Sequence, residues 1–196
     1  EFSMWKRFFE IAKKIEHVIE KKDKELFSIF MAKYEIRKFK KIVGKALKKE
    51  MIENYEIVTK NEREIIEKIK QTENPIKAFY STNFWNELKK NVENNDITKI
   101  HELEKEASID KFFIALDVAY FSALKKLKGF KTFDYEMLQV DIYNIIKLLI
   151  AIRSEDSEEK VKEFLHDPYF IEGKINKKII LHALKNEKSL ENLLSL

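Results

Sequence analysis

Three glycines and two prolines are all the conformational punctuation that 196 residues carry. Hairpins, sandwiches and phosphate-cradling loops depend on Gly, Pro and Asn-Gly turns. A chain this poor in them is left with helices joined by capped breaks. Lys, Glu, Ile and Leu dominate, residues that favour helix or fill a helical stripe. Apolar residues make up 44% and charged residues 37%, enough apolar surface to drive folding and to exclude a disordered chain. The length accommodates either one substantial core or two small helical lobes. The composition also suits a heat-tolerant or AT-rich source.

Several chemistries are excluded by what the chain lacks. With no cysteine, there is no disulfide framework, thiolate metal site or cysteine nucleophile, and a reducing, cytosolic setting is expected. The longest apolar runs, such as Leu148-Leu149-Ile150-Ala151-Ile152, are far shorter than the ~20 residues that span a bilayer. Glu1-Phe2-Ser3-Met4 reads as a remnant ahead of a native Met4 and lacks the pattern of a signal peptide. His17, His101, His166 and His182 stand at no metal-binding helical spacing, and His101-Glu102 lacks the second His of a zinc-protease helix. Carboxylate pairs such as Glu102 with Glu104, or Asp156 with Glu158 and Glu159, fall in charge-rich segments that read as exposed. His166-Asp167 beside Pro168 reads as a loop turn with a capping carboxylate. No Gly-rich loop follows a strand, so ATP binding is not expected either. The expectation is a non-enzymatic chain with no catalytic residue, cofactor, metal or small-molecule substrate.

The formal charge of +4 is a small excess between 38 basic and 34 acidic residues. Basic density rises from Lys38 to Lys49, which reads as a solvated helix face, with a phosphate-binding stripe as the alternative.

Apolar residues recur at three- and four-residue steps from Met4 to Ile19 and again from Leu26 to Val43, the second stretch following Asp23 as N-cap and holding Gly44 as a soft spot. Asn61 and Glu64 read as a capping box. Asn74-Pro75 opens a short helix that breaks at Ser81-Thr82-Asn83. Asp96 and Ser108 open two more, the latter ended by Gly129. From Phe133 to Arg153 the chain is apolar nearly all round its axis, which predicts the most buried helix of the fold. A charged helix from Ser157 to Leu165, a loop with Pro168 and Gly173, a helix over Asn176 to Leu184 and a short one opening at Ser189 complete an all-α reading.

Sliding the chain past itself sets Met31 to Val43 on Met137 to Leu149, so that Glu35 falls on Asp141 and Lys38 on Asn144. Downstream, Glu64-Ile65-Ile66 parallels Lys178-Ile179-Ile180, and Asn74 parallels Ser189. Two copies of a unit of roughly a hundred residues are expected, over 4–110 and 111–196, the second whole or incomplete. Asp141 and Asn144 are the polar members of an apolar helix, three residues apart on one face, placed to bond a neighbouring helix end or loop. With Arg153, Glu35, Arg37 and Trp85 they are the candidates for structural or partner contacts; Trp5 is a further aromatic to watch.

In this layout the chain resembles the C-subunit family of archaeal-type ATP synthases, equivalent to the d-subunit of vacuolar proton pumps. The likeness spreads over most of the chain. Asp141-Ile142-Tyr143-Asn144-Ile145 matches the front of a helix that the family repeats. Glu158 to Leu165, Pro168 to Gly173, Asn176 to Leu184 and Ser189 to Leu194 follow in the family's order. Ala78 to Phe84 is similar to its leucine, threonine and tyrosine segment, and Ile114 to Phe121 to the helix that begins a new repeat. The family's closing Arg falls near Ile150, with Arg153 as the stand-in, and the first copy carries Glu35 and Lys38 in place of Asp and Asn.

The resemblance implies an open cup of helical repeats at the cytoplasmic face of a membrane. Its mouth receives central stalk subunits and its base rests on the membrane rotor ring, so that the membrane is met only through the ring. Family members hold three repeats where this chain holds about two, which makes it a fragment or a shortened relative. A third repeat, a second copy or a partner would close the cup. The alternative is a basic helical module that binds nucleic acid or protein through Lys38 to Lys49.

Overall fold

The computed structural model describes residues 2–50, 59–106, 108–153, 157–176 and 178–179. Every regular element among them is helical, as the scarcity of turn residues requires. In order they are α1 (Phe2–Val18), α2 (Lys21–Leu47), α3 (Lys60–Lys70), α4 (Pro75–Tyr80), α5 (Asn83–Lys90), α6 (Asn94–Lys105), α7 (Ile109–Leu124) with a closing 3₁₀ turn (Lys125–Leu127), α8 (Lys131–Ile152) and α9 (Ser157–His166). The expected helix from Asn176 begins within the described residues; most of it, and the short helix opening at Ser189, lie outside them. None of the described helices is long and apolar enough to cross a membrane.

The chain divides into two units, Glu1–Lys126 and Leu127–Leu196. In the first, α7 packs along α2 and α6, while α3 and α4 close over α2. Lys126 meets Glu25 near the start of α2, and Asp117 meets Lys40 farther along it, so α2 and α7 run antiparallel. Nine of the sixteen residues of α7 are buried, and its run of Ala115, Ala119, Ser122 and Ala123 lets neighbouring helices approach closely. Phe39, Phe79, Phe84 and Phe112 form the aromatic centre, with Phe39 and Phe84 rings 4.7 Å apart and Phe79 and Phe112 rings 5.1 Å apart. Phe39, Phe79 and Phe112 are fully buried, and each contributes roughly 2 to 3 kcal/mol of transfer free energy. On α2, Tyr34 receives Trp5 and Phe8 of α1 at ring distances of 6.1 and 4.8 Å.

The caps explain most boundaries. Asn74 holds the N–H groups of Ile76 and Lys77, Thr82 holds that of Trp85, and Ser108 that of Lys111. Three expected caps move. Asp23 and Asp96 lie inside the first turns of α2 and α6, where their charge suits the helix dipole, and Glu20 and Glu93 take the cap positions. The capping box before α3 is Thr59 with Glu62, not Asn61 with Glu64, because Asn61 is engaged elsewhere. Gly44 has no atom within 4 Å of where a Cβ would stand, and α2 continues past it to Leu47. The actual C-terminus of α2 is a Schellman motif with Lys49 at φ 58°, its N–H donating to Ala46 and that of Glu50 to Lys45.

In the second unit α9 and the loop after it pack on α8. The expectation that α8 is the most buried helix is overturned. Tyr135, Leu138, Ile142, Tyr143, Ile146 and Ile150 are each at least half exposed. A helix apolar all round its axis is fully buried only when neighbours cover every side; here α7 holds that place, with Phe112, Ala115, Leu116, Ala119, Ala123 and Leu124 at 0% exposure.

Candidate functional site

Asp141 and Asn144 lie one turn apart on the buried side of α8 and reach the loop that follows α9. Asp141 is 2% exposed. Its Oδ2 accepts from the backbone N–H of Lys174 at 2.8 Å, and Oδ1 and Oδ2 accept from that of Ile175 at 3.1 and 3.2 Å. Asn144 donates from Nδ2 to the carbonyl of Ile171 at 3.0 Å. Together they hold both sides of one loop, satisfying backbone groups that would otherwise be stranded.

Gly173 is the residue that permits the approach. A Cβ there would stand 2.1 Å from Asp141 Oδ1 and 2.6 Å from the backbone oxygen of Met137, closer than any side chain tolerates. Lys174 adds an ion pair to Asp134 at 3.0 Å. The loop then delivers Asn176, whose side chain accepts from the N–H of Lys178 at 2.7 Å and so caps the segment that follows. The sequence shows Gly173 as a loop glycine but not its closeness to Asp141; a pairing across 33 residues carries no local signal.

In the first unit Glu35 does comparable work from α2. Asn61 donates from Nδ2 to its Oε1 and Oε2 at 3.1 and 3.0 Å. Glu35 therefore grips the start of α3, where the capping box of Thr59 and Glu62 lies. Burial pushes its carboxyl up to about 7, with Glu62 and Glu16 adding repulsion, against hydrogen bonds from Asn61 and Thr59 that favour the charge. Lys38, one turn on, lies 3.9 Å from the fully buried Glu62.

The remaining candidates are not brought to either place. Trp85 is 0% exposed, so no part of it faces a partner. Its indole N–H donates to Glu104 at 2.5 Å, and Lys89 bonds the same carboxylate oxygen at 2.7 Å while lying 5.5 Å over the Trp85 ring. Burial and the Glu104 charge push the neighbouring Tyr80 hydroxyl well above its ordinary range. Glu104, expected to be exposed, is thus a part of the core's polar edge; its spacing from Glu102 hides the partner it finds on α5. Arg37 is exposed on α2, and Arg153 is exposed at the C-cap of α8.

The basic stretch of α2 is not a simple solvated face either. Lys40 pairs with Asp117 at 2.6 Å and lies 5.2 Å over the Phe113 ring, while Lys38 turns toward Glu62. Two of its lysines are therefore drawn into the fold. Among the described residues no three His, Asp or Glu side chains form a group able to hold a metal.

The arrangement is thus a set of helix-to-loop holds, each fixing where the next helix starts, with no convergence of titratable groups on an open cleft among the contacts described. Comparison of the chain with family models, with curated proteins and with solved structures finds no match.

Proposed function

We propose that the chain is a non-catalytic coupling component of a rotary ATPase of the archaeal type, a two-repeat socket that joins central stalk subunits to the membrane ring. The observation that supports this reading is that α2 and α8 each carry, at aligned positions, an acid that holds the segment leading into a later helix. Thr59 and Asn61 fall on Gly173 and Ile175 in the downstream alignment of Glu64 with Lys178, which is offset by eight residues from the one that sets Glu35 on Asp141. Glu35 bonds Asn61, and Asp141 bonds Ile175 while touching the place where a Gly173 side chain would be. Repeats of this kind, each fixing the start of its next helix, suit a part that must transmit torque without bending.

The mechanism is mechanical. Stiffness comes from the aromatic centre of the first unit and from the clamped loop of the second, and the load is spread over many contacts of charged rims. Such contacts associate fast and weaken with salt. The cytoplasmic face of a membrane is the place this role assigns, with the ring as the only contact to the bilayer.

Binding of the intact chain to immobilised central stalk subunits, and separately to purified rotor ring, tests the proposal. Saturable binding to both in low salt, weakening as salt rises, is the expected result. Binding to neither, or strong binding to duplex nucleic acid in their place, rejects it.

A further inference from the structure

The exposed stripe on α8 has a covered counterpart in the first unit. On α2, the residues facing α7 are marked at one end by Glu25, bonded to Lys126 at 2.7 Å, and at the other by Lys40, bonded to Asp117 at 2.6 Å. Between them Ile29, Ala32 and Ile36 are 2%, 4% and 5% exposed. Steps of four, three, four and four residues make this one continuous helical stripe.

The register that sets Glu35 on Asp141 sets this stripe on Lys131, Tyr135, Leu138, Ile142 and Ile146. Lys131 is exposed, and the other four are 60%, 50%, 50% and 50% exposed. With Ile150 they leave on the order of 500 Å² of apolar side chain in water, near the upper end of what a lone chain commonly shows. The face that α7 buries on α2 is the face that lies open on α8.

We propose that this face of α8 docks a partner helix of the α7 type, running antiparallel to it. Two positions set the chemistry of that helix. Where α7 carries Asp117 against Lys40, α8 offers Ile146, so the partner carries an apolar residue. Where α7's segment carries Lys126 against Glu25, α8 offers Lys131, so the partner carries an acid. Between them it presents apolar residues, as Tyr120 and Leu124, three and seven positions on from Asp117, do on α7. The charge exchange makes the face selective: α7 itself would bury a carboxylate against Ile146 and set Lys126 against Lys131.

This inference rests on the two-repeat reading above, and its test is separate from that of the rotary role. A fluorescein-labelled peptide spanning Ser108 to Leu127, carrying Asp117→Leu and Lys126→Glu, is titrated with the intact chain and followed by anisotropy, beside the unaltered peptide and a scrambled one. The altered peptide is expected to bind saturably in the micromolar range, about tenfold or more tighter than the unaltered peptide. Ile142→Asp in the chain removes that binding, and Lys131→Glu reverses the preference at peptide position 126. Both sites are exposed, so circular dichroism of the two variants should match that of the parent. Equal binding of the two peptides, insensitivity to Ile142→Asp, or self-association of the chain that Ile142→Asp abolishes would overturn the proposal, the last by giving the face to a second copy. Peptide binding by a chain that ignores stalk and ring would sink the rotary role alone.

Discussion

Gly173→Ala puts the clamped loop to a test of sign. If the space beside Gly173 were open, alanine would stabilise the fold by about 0.4 to 1 kcal/mol, because it narrows the unfolded chain's choices. It is not open: the new Cβ would meet the Asp141 carboxylate at 2.1 Å and the Met137 carbonyl oxygen at 2.6 Å. The carboxylate can turn, but the Met137 oxygen belongs to the backbone of α8 and cannot. The loop must lift, and Asp141 then loses the N–H groups of Lys174 and Ile175. Hydrogen bonds to a charged acceptor contribute about 1.5 to 3 kcal/mol each, so losing both costs about 3 kcal/mol even when water partly replaces them. Urea titration followed by circular dichroism measures the change, and amide hydrogen exchange at 174 and 175 localises it. In an Asp141→Ala background the same substitution should cost less, since half of the clash and both bonds are already gone. A Gly173→Ala variant as stable as the parent, or more so, would show that the hold is not what keeps the loop in place.

Four other outcomes follow from the same geometry. Trp85→Phe removes both the N–H that Glu104 accepts and part of a fully buried ring, and should lower stability by about 2 to 4 kcal/mol in the same titration; no change would remove Trp85 and Glu104 from the core's polar edge. Lys49→Gly should raise stability by roughly 0.5 to 1 kcal/mol, because glycine takes φ 58° without strain, and a loss would contradict the Schellman end of α2. A double-mutant cycle on Lys40 and Asp117 should give a coupling of about 0.5 to 1 kcal/mol that fades with salt, the pair being partly exposed; zero coupling at low salt would dissolve it. Glu35 is raised in the fold from 4.5 to about 7, so the folded state holds its proton longer than the unfolded state does. Stability should therefore fall as pH rises from about 4.5 to about 7, and Glu35→Gln should flatten that slope; an unchanged slope would place its origin elsewhere.

Much of the fold is legible because helices are read locally. Asn74-Pro75 and Ser108 each announce a start within a few residues of the side chain that makes it, and a helix begins at each, while the break read at Ser81-Thr82-Asn83 holds the Thr82 cap of α5. Asp141 and Asn144 are readable as paired polar groups on an apolar helix, though not the loop they hold, which depends on a contact across the sequence. Amphipathic periodicity says which residues are apolar, not whether a neighbour exists to cover them, and for that reason α8 reads as buried when one side of it is open. Glu62, Glu104 and Asp117 are lost among many similar charges, because only the folded chain tells an acid that finds a partner in the fold from one in water.

A coupling socket, as proposed for this chain, must join two partners mechanically. Central stalk subunits and rotor ring, taken from an archaeal-type enzyme stripped of its own coupling component, can be mixed with and without this chain and separated by size. The proposal predicts that stalk and ring co-migrate only when the chain is added, and that Gly173→Ala weakens the bridge. Stalk and ring that remain apart with the chain present would contradict it.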